Sequence, residues 1–220
     1  MNKISAELDA LSEIKSMMER SSRFISLSGL SGVFAGVFAL IGAAAAYLHF
    51  NVGFFSSYSE IYSQSFDRSG NPETGIFSFF LMDAVSVLVA SLLVGFLLTR
   101  RKAMKQGLSL WDRTSQRMVI NLLIPLASGG LFCISLFAHH YIVLIAPATL
   151  IFYGLALINA SKYTLHDIRQ LGICEIIIGL VASFNSGYGL LFWALGFGVM
   201  HMVYGTVMYF KYERSQLSKS

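Results

Sequence analysis

What this 220-residue chain has least of is charge: 13% of its residues are Asp, Glu, Lys or Arg, about half the roughly 25% of an ordinary soluble domain. Too few charged side chains remain to cover a soluble enzyme of this length, and that class is excluded. Only two cysteines occur, Cys133 and Cys174, which excludes a disulfide scaffold and a cysteine-rich zinc module. Three prolines leave no proline-rich linker. The chemical signatures are missing as well. There is no Gly-x-Ser-x-Gly elbow, phosphate-binding loop, dinucleotide fingerprint, His-Glu-x-x-His or paired Cys-x-x-Cys, each of which carries a defined chemistry at a fixed spacing. No catalytic residue, resident cofactor or metal is therefore expected, and the chain is read as something other than an enzyme.

What is present is apolar length. Hydrophobic residues make up 55% of the chain, and a helix needs about 20 of them in a row to cross a bilayer. Six stretches qualify: 24–48, 76–99, 119–138, 141–160, 168–185 and 189–210. The fifth is the weakest, being short and carrying Glu175. The expected fold is an all-α integral membrane protein, with an amphipathic helix in 1–23, six transmembrane helices within 24–212 and a tail at 213–220. Connections of a few residues join spans three to four and five to six as antiparallel hairpins. Pro125 and Pro147 fall inside spans three and four, where kinks are expected.

Orientation follows from the basic residues, which are held on the cytoplasmic side during insertion. Of the 16 Lys and Arg, all but Arg68 fall before span one, between spans two and three, between spans four and five or in the first turn of span five, or after span six. Both termini are thus expected in the cytoplasm. The net charge of +4 then reads as topology and contact with anionic headgroups, and no basic patch interleaved with aromatics points to nucleic acid. The first 23 residues are polar, so no cleavable signal sequence is expected. Cys133 and Cys174 come out at different heights in the bilayer, about 21 Å and about 9 Å from its inner face, too far apart for a disulfide.

Within 2–23, Ile4, Leu8, Leu11 and Met18 recur at helical spacing among charged residues; such a helix can lie in the headgroup layer, pair with its copy or dock a soluble protein. In 100–118, Arg100-Arg101-Lys102 reads as a stop-transfer flank, with Leu108, Leu110 and Trp111 as interfacial anchors. Residues 50–75 mix Phe54, Phe55, Tyr58, Tyr62 and Phe66 with serine and read as an outer loop or lid.

Small residues mark where helices approach, because apolar burial does not drive association in lipid. Gly29, Gly32, Gly36, Ala39, Ala43 and Ala46 form one stripe along span one and are read as a packing seam, within the bundle or between copies in a homo-oligomer. Ionisable groups at membrane depth are costly and are functional suspects by default. There are three: Asp83, Glu175 and His201. Each shares a helical face with small residues. From the rise of a helix, Glu175 lies about 10 Å and His201 about 12 Å above the inner face, so a Glu175–His201 contact is expected, with Tyr204 as a competing partner for the acid. Asp83 lies about 10 Å below the outer face, the mirrored depth expected of two inverted halves, although the residues flanking the two acids share nothing. His49, His139 and His140 sit at the outer ends of spans one and three and are read as interfacial, for want of carboxylate or thiolate companions.

Ser26-Leu27-Ser28-Gly29-Leu30-Ser31-Gly32 and the stretch from Gly187-Tyr188-Gly189-Leu190-Leu191-Phe192-Trp193 through His201-Met202-Val203-Tyr204-Gly205 resemble small uncharacterised multi-pass proteins of bacterial inner membranes. The resemblance covers under a third of the chain. It implies an inner-membrane location and brings no active-site residue with it. Two functions stay open: a carrier or channel for a small solute or ion using Asp83, Glu175 and His201, or a non-transporting partner or sensor that holds a cytoplasmic protein through its N-terminal helix and basic loop. The topology has a direct check. A reporter enzyme fused within 56–70 should be active only outside the cytoplasm, and cytoplasmic activity there would overturn the six-span arrangement.

Overall fold

The computed structural model describes residues 28–50, 74–105, 107, 111–185 and 187–214. The amphipathic segment 2–23, the connection 51–73, Leu108, Leu110 and Ser186 lie outside the described residues. Among those described, regular structure is helical throughout: α1 (Gly29–Phe50), α2 (Thr74–Lys105), α3 (Arg113–Ala138), α4 (Ile145–Ala160) and α5 (Asp167–Phe184). A last span follows, built from α6 (Gly189–Trp193), a π-helical segment (Ala194–Met200), α7 (His201–Met208) and a second π-helical segment (Tyr209–Arg214). Short 3-10 turns at Ile142–Leu144 and Ser161–Tyr163 flank α4.

Five of these stretches are long and apolar enough to cross a membrane: Gly29–His49, Ser78–Lys105, Arg113–Ala138, Ile142–Tyr163 and Gly189–Tyr212. The remaining helix, α5, has 18 residues and carries Asp167, Arg169 and Glu175. Its charges are the reason it stands apart, and two of them, Asp167 and Glu175, are buried. Apolar side chains such as Leu81, Leu88, Leu92, Ile120, Leu131 and Phe184 stand on the outside of the bundle. In water such a surface would drive aggregation; it is compatible with the lipid-covered exterior of a multi-pass membrane protein.

Local chemistry explains several boundaries. Asp112 caps α3, its carboxylate accepting from the Ser115 N–H at 2.7 Å and the Ser115 hydroxyl at 2.6 Å, which satisfies one of the helix's unpaired donors. Arg113 and Arg117 thus belong to the start of α3 rather than to a loop. The helix α2 runs on through Arg100, Arg101 and Lys102 to Lys105, since these residues are good helix formers in the absence of Gly or Pro. Pro125 lies within α3, but Pro147 sits in the first turn of α4. There the absent N–H has little to bond to, so the expected mid-span kink at Pro147 is replaced by a helix start. Between α3 and α4 the chain reverses at His139 and His140, with His140 at φ 64°, a left-handed conformation in which His is enriched.

The helices pack in a row. α2 lies against α1, α1 against the last span, the last span against α5 and α4, and α3 against α4. Glycines set the spacing at each main junction. A Cβ at Gly36 would lie 2.5 Å from the Gly198 carbonyl oxygen and 2.6 Å from Met202 Cγ, and one at Gly32 would lie 3.1 Å from Gly205 Cα. Gly29 faces Gly205 and Tyr209 in the same way. The expected stripe on span one therefore meets a glycine pair, Gly198 and Gly205, on the last span, while Ala39, Ala43 and Ala46 are buried further along α1. Between α4 and α5 the contact is reciprocal, with Gly154 under the Gly172 carbonyl and Gly172 under that of Gly154. Close backbone approach lets many weak dispersion contacts accumulate where lipid gives no hydrophobic drive.

Replacing Gly36 with leucine should force α1 from the last span, since even its first side-chain atom has no room. Overpacking of this kind typically costs about 1–3 kcal/mol, seen as a lower melting temperature in detergent. Ala45 lies on the exposed side of α1, and Ala45→Leu should leave the melting temperature unchanged. Equal melting of both variants and the unaltered chain would overturn the seam.

Candidate functional site

Glu175 occupies the face of α5 that also carries Ile168, Leu171, Gly172, Gly179 and Ala182, all buried. Its side chain has no exposed surface, and neither carboxyl oxygen has a hydrogen-bond partner. This is an expensive placement: an ionised carboxylate held from water costs several kcal/mol even after relaxation. The nearest polar group is His201, at the start of α7, whose Nδ1 lies 3.4 Å from Glu175 Oε1. Antiparallel α5 and the last span bring the two to one level.

The histidine is held from both sides. Its Nδ1 is 3.1 Å from the Gly196 carbonyl oxygen, and its Nε2 is 2.8 Å from the Tyr153 hydroxyl. A carbonyl oxygen only accepts, so Nδ1 carries a hydrogen. In the neutral imidazole Nε2 then offers its lone pair, and the Tyr153 O–H donates to it. Gly196 and His201 are five residues apart, the repeat of the π-helical segment between them, and such segments recur at functional sites. The absence of a side chain at Gly196 matters too. A Cβ there would lie 2.5 Å from Glu175 Oε2 and 2.5 Å from Leu150 Cδ2, so only glycine leaves space for the carboxyl.

Aromatic rings wall the histidine. Tyr153 and Phe197 lie 5.3 Å and 6.0 Å from its ring centre, and Trp193 continues the stack 5.1 Å from Phe197. The product is a polar row, Tyr153 Oη to His201 Nε2 and His201 Nδ1 to Glu175 Oε1, inside an otherwise apolar junction of α4, α5 and the last span. An imidazole placed so can take a proton at one nitrogen and release one from the other.

Of the residues singled out in the sequence, Glu175 and His201 come together, whereas Asp83 and Tyr204 lie elsewhere. Asp83 faces Gly42 of α1, where a Cβ would lie 3.0 Å from its Oδ2. Gly32, by contrast, faces the His201 carbonyl. Ten residues of α1 separate these levels, about 15 Å along the axis, so Asp83 does not join the polar row. Nor do the two acids occupy equivalent places: Asp83 is half-buried on α2 at the edge of the row and Glu175 is enclosed. Tyr204 directs its hydroxyl to Cys174 Sγ at 3.6 Å rather than to Glu175. Both cysteines are free thiols. His49 stacks on Phe79 with centroids 4.5 Å apart, His139 and His140 form the α3–α4 turn, and among the described residues no three His, Cys, Asp or Glu gather as a metal site.

Tyr153 was missed from the sequence, although a signal for it exists. It lies twelve residues into the stretch 141–160 as His201 lies twelve into 189–210, which puts both about 18 Å from the starts of their helical stretches. A second polar group missed is Asp167 at the start of α5. Its carboxylate accepts from Lys211 Nζ at 2.9 and 3.1 Å and from Tyr212 Oη at 2.6 Å, tying α5 to the end of the last span. Leu157, Leu165, Ile168, Leu171 and Met208 form a buried cluster against which Tyr153, Tyr204 and Tyr212 pack.

Burial pushes the Asp167 carboxyl up, but the hydrogen bonds from Tyr212 and Lys211 and the Lys211 charge outweigh it, leaving its pKa below the ordinary value of 3.8. A carboxyl lowered on folding adds stability that is complete above its ordinary range and is lost as the pH falls through its folded value. The melting temperature should therefore fall on acidification toward that range, and Asp167→Asn should flatten the fall while lowering stability at neutral pH. High salt should weaken the effect, because the Lys211 side chain is 54% exposed and the pair is screened. Superimposable acid profiles for the two proteins would refute the latch.

No protein-family model matches the chain, and no curated protein or solved structure shows significant similarity to it.

Proposed function

We propose that the protein is a multi-pass membrane carrier or channel for a small solute or ion, with its polar site at Glu175 and His201. The observation that carries this reading is the wholly buried Glu175 carboxyl, without a hydrogen-bond partner and 3.4 Å from His201 Nδ1. A purely structural polar pair would be expected to saturate its hydrogen bonds. An acid left unsatisfied in an apolar junction is a group whose partner comes and goes. The role involves no chemistry on a substrate, hence no enzyme activity. In this reading both termini face the cytoplasm of a cell with an inner membrane, and the Asp167–Lys211–Tyr212 latch lies on the cytoplasmic side.

A second reading, a non-transporting partner or sensor of a cytoplasmic protein, is favoured by one feature. The helix α2 continues to Lys105 and holds Arg100, Arg101 and Lys105 exposed, a rigid basic arm suited to an acidic surface.

Reconstituted vesicles separate the two. Under gradients of protons, Na+, K+ and small solutes, the carrier reading expects flux of at least one of them above empty vesicles, cut by Glu175→Gln. Vesicles as tight as empty ones to all of these, from protein that retains its melting transition, would overturn it in favour of the partner reading.

A further inference from the structure

Three polar groups from three elements stand in one line inside the bundle: the Tyr153 hydroxyl from α4, both ring nitrogens of His201 from the last span, and the Glu175 carboxyl from α5. We infer that Tyr153, His201 and Glu175 form a proton relay in which Glu175 is the proton-binding group, so that the ion handled by this site is the proton. The inference rests on the carrier reading for its biological purpose, but its geometry stands independently.

The choice of a proton over a metal cation follows from the donor set. Na+, Mg2+ and Ca2+ need about six or more oxygen ligands converging on one point. Here the carboxyl meets a ring nitrogen that carries hydrogen, because the same Nδ1 lies 3.1 Å from the Gly196 carbonyl oxygen. The partial positive charge of that N–H, 3.4 Å from Oε1, disfavours a cation at the same place. On the other side, Leu150 Cδ2 and Glu175 Oε2 crowd the same point beside Gly196, each 2.5 Å from where a Cβ would stand, which leaves no space for a hydration shell. A proton needs one lone pair, and both oxygens of Glu175 have theirs unused.

The transfer balances within the row. A hydronium ion gives a proton to the Tyr153 oxygen, and is left as water, as the Tyr153 O–H proton passes to His201 Nε2. The Nδ1 proton then leaves the imidazolium for Glu175 Oε1. One proton has entered at the tyrosine, one has arrived on the carboxylate, and the imidazole has changed tautomer; the reverse sequence empties the site. The step at Nδ1 requires the 3.4 Å separation to shorten to hydrogen-bond distance, a small side-chain rotation. Other titratable groups facing this region are few. On the last span they are Tyr204, directed to Cys174, and Lys211 and Tyr212, engaged with Asp167. From α4 there is Tyr153 alone at this level. The stretch of α1 that packs on the last span, from Gly29 to Ala46, contains no ionisable side chain.

Infrared difference spectroscopy on the full chain in lipid vesicles reads the proton on Glu175 directly, as the carbonyl stretch of a neutral carboxylic acid. The relay expects a band that titrates between about pH 4 and about pH 10, is missing in Glu175→Gln, and is unchanged by added Na+, K+ or Mg2+ at fixed pH. After a pH jump the band should develop at least about tenfold more slowly in Tyr153→Phe, which keeps the ring and removes the hydroxyl. A band that never titrates, a band abolished by a metal cation, or an unaltered rate in Tyr153→Phe would each overturn the relay. The unaltered chain supplies the titration and the cation test, so neither depends on a variant folding. Flux in the vesicle assay that is carried by Na+ or a solute while the band fails to titrate would leave the carrier standing without the relay. A titrating, Tyr153-dependent band in vesicles that pass nothing would leave the relay standing without the carrier.

Discussion

The placement of one carboxyl organises this molecule. Glu175 lies in α5 with no exposed surface and no hydrogen-bond partner, and the surrounding structure is arranged to tolerate it. Gly196 has no side chain where one would strike Oε2. The chain around Gly196 widens from α to π geometry, and that change lets the Gly196 carbonyl meet His201 Nδ1 five residues later. Tyr153 then fixes the other ring nitrogen. Each element would be unremarkable alone; together they keep an acid and a base at one depth with a gap between them that is longer than a hydrogen bond. Unsatisfied polar groups in a low-dielectric interior are costly, and a fold that retains one supports it with rigid neighbours.

That rigidity comes from glycine. The last span touches α1 through Gly198 and Gly205, and α5 touches α4 through Gly172 and Gly154. In both cases backbone meets backbone. Such junctions fix the depth of one helix against the next far more tightly than long, flexible side chains would, and this registers Tyr153, Glu175 and His201 with one another. At the far end of the same helices the Asp167 carboxylate gathers Lys211 and Tyr212. α5 is thus pinned at its start and packed along its buried face, although it carries Asp167, Arg169 and Glu175.

The edges of the row behave differently. α2 packs against α1 alone to any extent and turns most of its surface outward, and Asp83 sits there, half-buried over Gly42. A half-buried acid at the rim and a sealed acid in the middle share a residue type and little else. The distinction lies in enclosure: α5 has neighbours on two sides and α2 has one.

The sequence by itself determined the helical class and the positions of the apolar stretches, because each is a property of chain length and hydropathy along a line. It also set the relative level of residues along neighbouring helices. A rise of about 1.5 Å per residue was enough to put Glu175 and His201 level, and the same arithmetic reaches Tyr153. Only the tertiary structure decided which of the polar groups at one depth face each other. That depends on the rotation of each helix about its axis and on the order in which helices pack, and both are set by contacts between residues far apart in sequence, Gly36 with Gly198 and Gly154 with Gly172. Hence Tyr204 turned to Cys174 while Tyr153 took the histidine. The π-helical turn at Gly196 was illegible for a related reason: nothing in Ala194–Met200 alone demands it, and its purpose appears only when His201 and Glu175 are both in place.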